Sequence, residues 1–328
     1  MTRRDTVGII GAGTFGTALA SVLARAGRPV ILWSRDTEIV SSIRTARVCP
    51  RLPKAPLPAP LEATADPKEL ASKARFLVLA VSSTNVRDRA RELGEVIDGS
   101  HIVVHAIGAL AAPSNERVSE VVAQGIPSLK IGVLAGPALP ADLVNNQFSS
   151  MVVASAFDEV VAEGRRLLNA PPMLRVYSSK DLAGVEIASA LSGAYTVALG
   201  LADGLAIGIG ARAVLVTRAV AEGSRLCAAA GGDLRTFAGL AGLGNILIRA
   251  DAKSGSADYV LGKRLAEGIV SGDGGRTEGA RAAIAMTQLA GTLRVRMPVL
   301  QGVAGILAGK IEPRDAAKLI GDTVAVEE

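Results

Sequence analysis

An α/β domain with a mostly parallel, doubly wound sheet, followed by an all-helical domain, is the fold class this sequence predicts. Three observations carry it. Short apolar runs recur through the first half, with helical stretches between them, the pattern of a parallel sheet with crossovers. A glycine-rich turn, Gly11-Ala-Gly13-Thr14-Phe15-Gly16, stands directly between the first of these runs and an Ala-rich helix. After Ser178 the strand pattern stops and long apolar helices take over, which places a boundary between domains 1–179 and 180–328.

Residues 6–10 (TVGII) suit a strand buried on both faces. In the turn that follows, Gly11 permits the tight bend, Gly13 lets backbone approach a pyrophosphate, and Gly16 lets the helix pack on the sheet. Thr14 and Phe15 complete the loop, and the helix beyond it offers free N–H groups and a positive dipole end to phosphate. This is the Rossmann-type unit, and it predicts a dinucleotide. The second strand ends at Trp33, followed by Ser34-Arg35-Asp36. A carboxylate there would accept from a ribose 2′-OH, whereas Ser34 and Arg35 suit a 2′-phosphate. NADP, or both NADP and NAD, is the expected cofactor.

Residues 47–60 (RVCPRLPKAPLPAP) hold too many prolines for regular helix and read as a surface excursion. Strands follow at 75–81, 100–105, 129–134, 151–154 and 174–177. The fourth strand of the series, 100–105, ends at His105. Ligands bind beyond the carboxyl ends of such strands, so His105 is a candidate proton-exchanging group. Residues 180–210 read as one long helix whose polar side chains include Ser189, Ser192, Tyr195 and Thr196, its glycines loosening it. Ser192 and Tyr195 are three residues apart and share a face. A further helix opens at Thr277-Glu278-Gly279 and the last at Pro313.

Composition removes several classes of function. The 328 residues are 49% hydrophobic and 20% charged, which excludes a disordered chain. Aromatics make up only 3%, too few for a base-stacking surface, and the net charge of +5 is scattered, so no nucleic-acid partner is expected. Two histidines and two cysteines in unrelated contexts provide no metal site. Cys49 and Cys227 form no disulfide framework, and no signal peptide is visible, so a reducing, cytoplasmic setting is expected. The apolar stretch 187–209 is interrupted by Ser, Thr, Gly and Asp203 and reads as a buried helix rather than a membrane span.

Taken in order, GAGTFGTALA, LWSRD, AGPALPADLV, RVYSSKDLAGVEIASAL, FAGLAGLGN, TEGARAA and MPVLQGVAGILAGKIEPRDA resemble the bacterial NAD(P)-dependent glycerol-3-phosphate dehydrogenases. The resemblance runs over nearly the whole chain. It implies a Rossmann-type domain, a helical substrate domain and hydride transfer between NAD(P)H and dihydroxyacetone phosphate. It also implies a role near the cofactor for Glu278.

The resemblance fails where the family does its chemistry. An acid/base lysine in an ALKN motif corresponds here to Ala190-Leu-Ser192-Gly193, and a second lysine to Ile107. GLGD becomes Gly242-Leu-Gly244-Asn245. The Ser-Arg-Asn segment that grips the substrate phosphate falls at Ser256-Ala257-Asp258, and the GxN asparagine is Gly210. Serine is no base without a partner, and loss of a positioned base costs about 10²–10⁴ in rate. Ser192, Tyr195, His105 and Asn245 are the candidate replacements. Two readings follow: a dehydrogenase acting on a carbonyl or alcohol, either dihydroxyacetone phosphate and glycerol 3-phosphate with a rearranged site or a different, less anionic substrate, or a non-catalytic nucleotide-binding module with a protein partner. The large apolar helices also point to a homodimer.

Overall fold

The computed structural model describes residues 3, 5–269 and 277–315. It separates into two compact units, Met1–Ile107 with Ala111–Leu182, and Gly108–Leu110 with Ala183–Glu328.

The first unit is built on one sheet of eight strands: β1 (Val7–Ile10), β2 (Val30–Trp33), β3 (Leu61–Thr64), β4 (Phe76–Leu79), β5 (Ile102–His105), β6 (Ile131–Ala135), β7 (Ser149–Ala154) and β8 (Leu174–Ser179). Their order is β3-β2-β1-β4-β5-β6-β7-β8. Strands β1 to β6 are parallel, β7 runs antiparallel to β6, and β8 is parallel to β7. Every residue of β1, β2, β4, β5 and β6 is buried, which is why these strands read as unbroken apolar runs. Strand β3 escaped the sequence reading because it has only four residues and carries an exposed Glu62.

The connecting helices are α1 (Thr14–Arg25), α2 (Thr37–Ala46), α3 (Pro67–Lys73), α4 (Val86–Gly94), α5 (Val118–Gly125), α6 (Pro140–Val144) and α7 (Asp158–Leu168). The chain leaves β1 toward β2 on one side and reaches β4 on the other. The sheet order therefore reverses beside β1, and a ligand crevice forms at the carboxyl ends of strands at such a point. The Pro-rich stretch is irregular as expected, but it is more than a surface excursion. Cys49 is fully buried in the core of this unit. Its Sγ lies 3.4 Å from Thr17 Oγ1 and 3.7 Å from the Ala12 carbonyl, so the stretch is anchored under the glycine-rich loop.

The second unit contains α8 (Leu182–Gly204, whose first residue belongs to the first unit), α9 (Ile209–Ala229), α10 (Asn245–Arg249), α11 (Ala257–Ala266), α12 (Glu278–Thr292) and α13 (Pro298–Leu307), with a π-helical turn at Leu240–Gly244 leading into α10. The single helix expected over 180–210 is broken, because Ala206 and Gly208 take positive φ values of 52° and 86°. Helix α13 begins on a proline, an N1 position that the sequence reading passed over. The helix expected from Pro313 is described only as far as Asp315, and its continuation lies outside the described residues.

By length and hydropathy α8 could cross a membrane, but 89% of its most apolar window is buried within the protein, as in a core helix. Its glycines do not loosen it. A Cβ on Gly200 would lie 2.2 Å from the Tyr259 carbonyl, and one on Gly262 would lie 2.1 Å from the Val197 carbonyl. Helices α8 and α11 thus meet backbone to backbone.

Gly200→Val should cost about 3 kcal/mol or more by overpacking. Gly210→Val should be near neutral by comparison, since nothing lies within 4 Å of a Cβ at that position. Urea unfolding followed by circular dichroism measures both, and equal effects would contradict the packing.

Candidate functional site

At the carboxyl ends of β1, β2 and β4 lies a cavity of about 510 Å³. Gly11, Gly13, Ser34, Arg35 and Ala80 line it, joined by Arg51 and Arg89. Each glycine has a separate reason. Gly11 has φ +113° and would place a Cβ 2.3 Å from the Ala80 carbonyl. A Cβ on Gly16 would sit 2.2 Å from the Gly11 carbonyl. Gly13 has nothing within 4 Å, so it leaves backbone bare toward open space. Gly13 is also the N-cap of α1 and makes no side-chain cap, so the first-turn N–H groups are not taken by it. Bare backbone, uncapped amides and a positive helix end together fit a pyrophosphate.

Phe15 packs on the core of this unit, and the exposed Thr14 donates from Oγ1 to the Arg51 carbonyl at 3.3 Å. Asp36, which could accept from a ribose hydroxyl, also lines the cavity, with one of its two oxygens engaged in a helix cap. Its Oδ1 accepts from Glu38 N at 3.1 Å and Ile39 N at 3.2 Å, capping α2. Ser34 Oγ accepts from Asp36 N at 3.2 Å and holds that turn. Three guanidinium groups remain around this end: Arg35, Arg51 and Arg89. Arg89 lies over the Trp33 ring at 5.9 Å and pairs with Glu92. Burial, and after it the charge of Arg35, pulls the pKa of Arg89 below its ordinary value. Crowded cations of this kind are relieved by an anionic ligand. The segment after the second strand had pointed to Ser34 and Arg35 alone. Arg51 and Arg89 come from a Pro-rich stretch and a helix face, where no local pattern marks them.

His105, the last residue of β5, is buried beside Leu79 and Val133 and is not among the residues lining this cavity.

In the helical unit Ser192 is completely buried. Its hydroxyl donates to the Ser189 carbonyl at 2.6 Å, and its oxygen accepts from Arg249 Nη1 at 3.3 Å. The proton is thereby committed to the helix's own backbone, and the guanidinium favours the oxygen as acceptor only. Arg249 also pairs with Asp258, whose other oxygen accepts from Gly279 N at 2.9 Å. Asp258 is 3% exposed. Asp258 brings a negative charge to this place, and Arg249 balances it.

Tyr195 is a core residue. It packs edge-on against Phe237, with ring centroids 5.8 Å apart, and donates to Glu222 at 3.0 Å. Glu222 in turn accepts from Val299 N at 2.8 Å and Leu300 N at 3.3 Å, at the start of α13. Burial, and then the charge of Glu222, pushes the Tyr195 phenol well above its ordinary range, so it holds its proton. The Asn245 side chain donates to the Ala241 carbonyl at 3.1 Å, satisfying the turn that precedes α10. Glu278 occupies the first turn of α12 after the Thr277 cap and pairs with Arg281 at 3.0 Å. Among the described residues no cluster of His, Cys, Asp and Glu could hold a metal.

Family models match both halves of the chain: the NAD-dependent glycerol-3-phosphate dehydrogenase N-terminus over residues 6–161, and the C-terminus of the same family over 181–318. The chain belongs to the NAD-dependent glycerol-3-phosphate dehydrogenase family. It is 36% identical over 311 residues to the glycerol-3-phosphate dehydrogenase [NAD(P)+] of Halorhodospira halophila, covering 93% of each chain. It is 36% identical over 318 residues to that of Alkalilimnicola ehrlichii, covering 95% of each. Among solved structures, the glycerol-3-phosphate dehydrogenase of Coxiella burnetii superposes with a TM-score of 0.89 at 29% identity, over 97% of this chain and 99% of that one. The family fold, a Rossmann-type unit and a helical unit, is the one expected, and NAD or NADP is the cofactor that the relatives' names carry.

The buried carboxyl of Glu222 is raised above its ordinary 4.5, chiefly by burial. A raised carboxyl keeps its proton longer in the folded than in the unfolded chain. Its contribution is therefore most favourable below about pH 4.5 and is lost as pH rises through the folded value. Glu222→Gln retains an acceptor for Tyr195 and cannot ionise. Its stability relative to the wild type should rise as pH climbs from about 4.5 to neutrality. Thermal unfolding of both proteins across that range is the test, and a pH-independent difference would contradict it.

Proposed function

We propose that this protein binds NADP(H) in preference to NAD(H), and that its dehydrogenation of glycerol 3-phosphate is absent or very slow. The hydride transfer it supports is to or from a carbonyl or alcohol substrate less anionic than dihydroxyacetone phosphate. The observation that carries the catalytic part is the bonding of Ser192. Hydride removal from a secondary alcohol requires a base for the hydroxyl proton. At Ser192 the proton is bonded to a backbone carbonyl and the oxygen faces a guanidinium. Neither Asp258 oxygen is free to replace it, one holding Arg249 and the other Gly279 N.

The cofactor preference rests on Arg35, Arg51 and Arg89, three cations around a cavity end whose one carboxylate, Asp36, has an oxygen engaged in a helix cap. When bound, the nicotinamide supplies the hydride. The chain's own part is to seat the pyrophosphate over Gly13 and the 2′-phosphate among the arginines. A second reading, a non-catalytic dinucleotide-binding module with a protein partner, draws support from one further fact. The Ser192 and Tyr195 hydroxyls and the Asn245 amide each donate to a group of their own unit. Two buried cysteines that form no disulfide support a reducing, cytoplasmic setting. Exposed Ile209, Val214 and Leu247 support a homodimer.

Fluorescence titration with NADPH and NADH tests the cofactor assignment. Arg51→Ala should weaken NADPH by about tenfold and leave NADH within about twofold, the loss of one charge-assisted hydrogen bond. Equal losses for both cofactors would remove the 2′-phosphate assignment. A panel of neutral carbonyl compounds added to the NADPH complex then separates the two readings. Oxidation by any of them supports the enzyme, and binding with no oxidation supports the module.

A further inference from the structure

The Arg249–Asp258 pair has a chemistry of its own. Three features surround the Asp258 carboxylate. The Arg249 guanidinium binds one oxygen, and the backbone N–H of Gly279, in the first turn of the fifteen-residue α12, donates to the other at 2.9 Å. Gly193 makes room: a Cβ on it would stand 3.2 Å from Asp258 Oδ2 and 3.0 Å from Gly279 Cα. A guanidinium, a helix-terminal amide and a glycine that permits close approach are the parts of an anion-binding position. Here the anion is supplied by the chain.

We infer that Asp258 is a specificity-determining residue: its carboxylate permanently occupies the anion-binding position made by Arg249 and Gly279, and so bars phosphate-bearing substrates. The inference rests on the reading that substrate is handled by the helical unit. A phosphate dianion reaching Arg249 meets a net charge of zero from the pair. To take the guanidinium for itself it must strand a carboxylate that is 3% exposed, the expensive way to break a buried pair. A neutral acceptor faces no such barrier. The Arg249 side chain keeps 22% of its surface exposed and has five N–H donors, of which two are spent on Ser192 and Asp258. The ligand end that fits is an uncharged carbonyl, amide or hydroxyl oxygen. Ser192 belongs to the same device, because its oxygen accepts from the guanidinium that Asp258 holds in place.

The test is a titration of the ¹⁵N-labelled full chain with inorganic phosphate, following the Arg249 Nε–Hε signal, assigned by its loss in Arg249→Lys. The readout is local to Arg249, so phosphate entering the cofactor cavity does not register. Failure of the dehydrogenase reading would show separately, as absent NADPH binding or turnover. In the wild type the Arg249 signal should not move saturably. In Asp258→Asn it should, with phosphate bound at least about tenfold tighter, the effect of one new charge-assisted hydrogen bond. Asp258→Ser, which retains an oxygen for Gly279 N–H, is the second variant should the first fail to fold. Saturable movement in the wild type overturns the inference on its own, whatever the variants do. Folded variants that show no phosphate response overturn it equally.

Discussion

The helical unit depends on one buried carboxylate. Asp258, on α11, sits beside α8 and α12, with Gly193 on one side, Gly279 on another and Arg249 paired to it. Remove the carboxylate and Arg249 loses its partner, Ser192 loses the group that orients its neighbour, and Gly279 N has no acceptor. Breaking such a pair by removing one member is costlier than never having it. The arrangement is therefore self-maintaining. Once a carboxylate and a guanidinium neutralise one another in this place, a lysine at position 192 would add a second cation beside Arg249. The serine is the small, neutral residue that the pair tolerates.

The dinucleotide-binding unit shows the opposite condition. Its glycines are each tied to a close approach or to open space, and its cations are not neutralised by local carboxylates in the same way. Asp36 caps a helix and Glu92 takes Arg89, while Arg35 and Arg51 stand at the cavity with it. One unit keeps positive charge available for an external anion. The other spends its positive charge on an anion of its own. Family membership fixes the fold and the type of cofactor, and this contrast in charge governs how we read the chemistry.

Much of this was legible in the sequence. The glycine-rich turn between an apolar run and an Ala-rich helix announced the first unit, because the backbone needs of a phosphate loop are local. That position 192 carries a serine and not a lysine was equally plain. Residues whose meaning depends on distant partners were not legible. Nothing local marks Arg249 in the sequence, and only the fold brings it to Ser192, 57 positions away. Tyr195 could be read as a proton donor until Phe237 and Glu222 enclosed it. The glycines of α8 read as flexibility because the carbonyls they admit, such as that of Tyr259, lie far along the chain. Cys49 and Arg51 were hidden by prolines that correctly signalled irregular backbone but said nothing about where it packs.

The most direct test of the account is a single-turnover experiment with dihydroxyacetone phosphate. Protein in excess over NADPH is mixed with saturating dihydroxyacetone phosphate, and absorbance at the nicotinamide band is followed for hours against free NADPH. With the position of Ser192 held by a structural ion pair, the oxidation rate should stay at the uncatalysed background. A first-order phase near the ordinary enzymatic range, about 1–10³ per second, would mean that a working acid/base group exists, and would contradict the account.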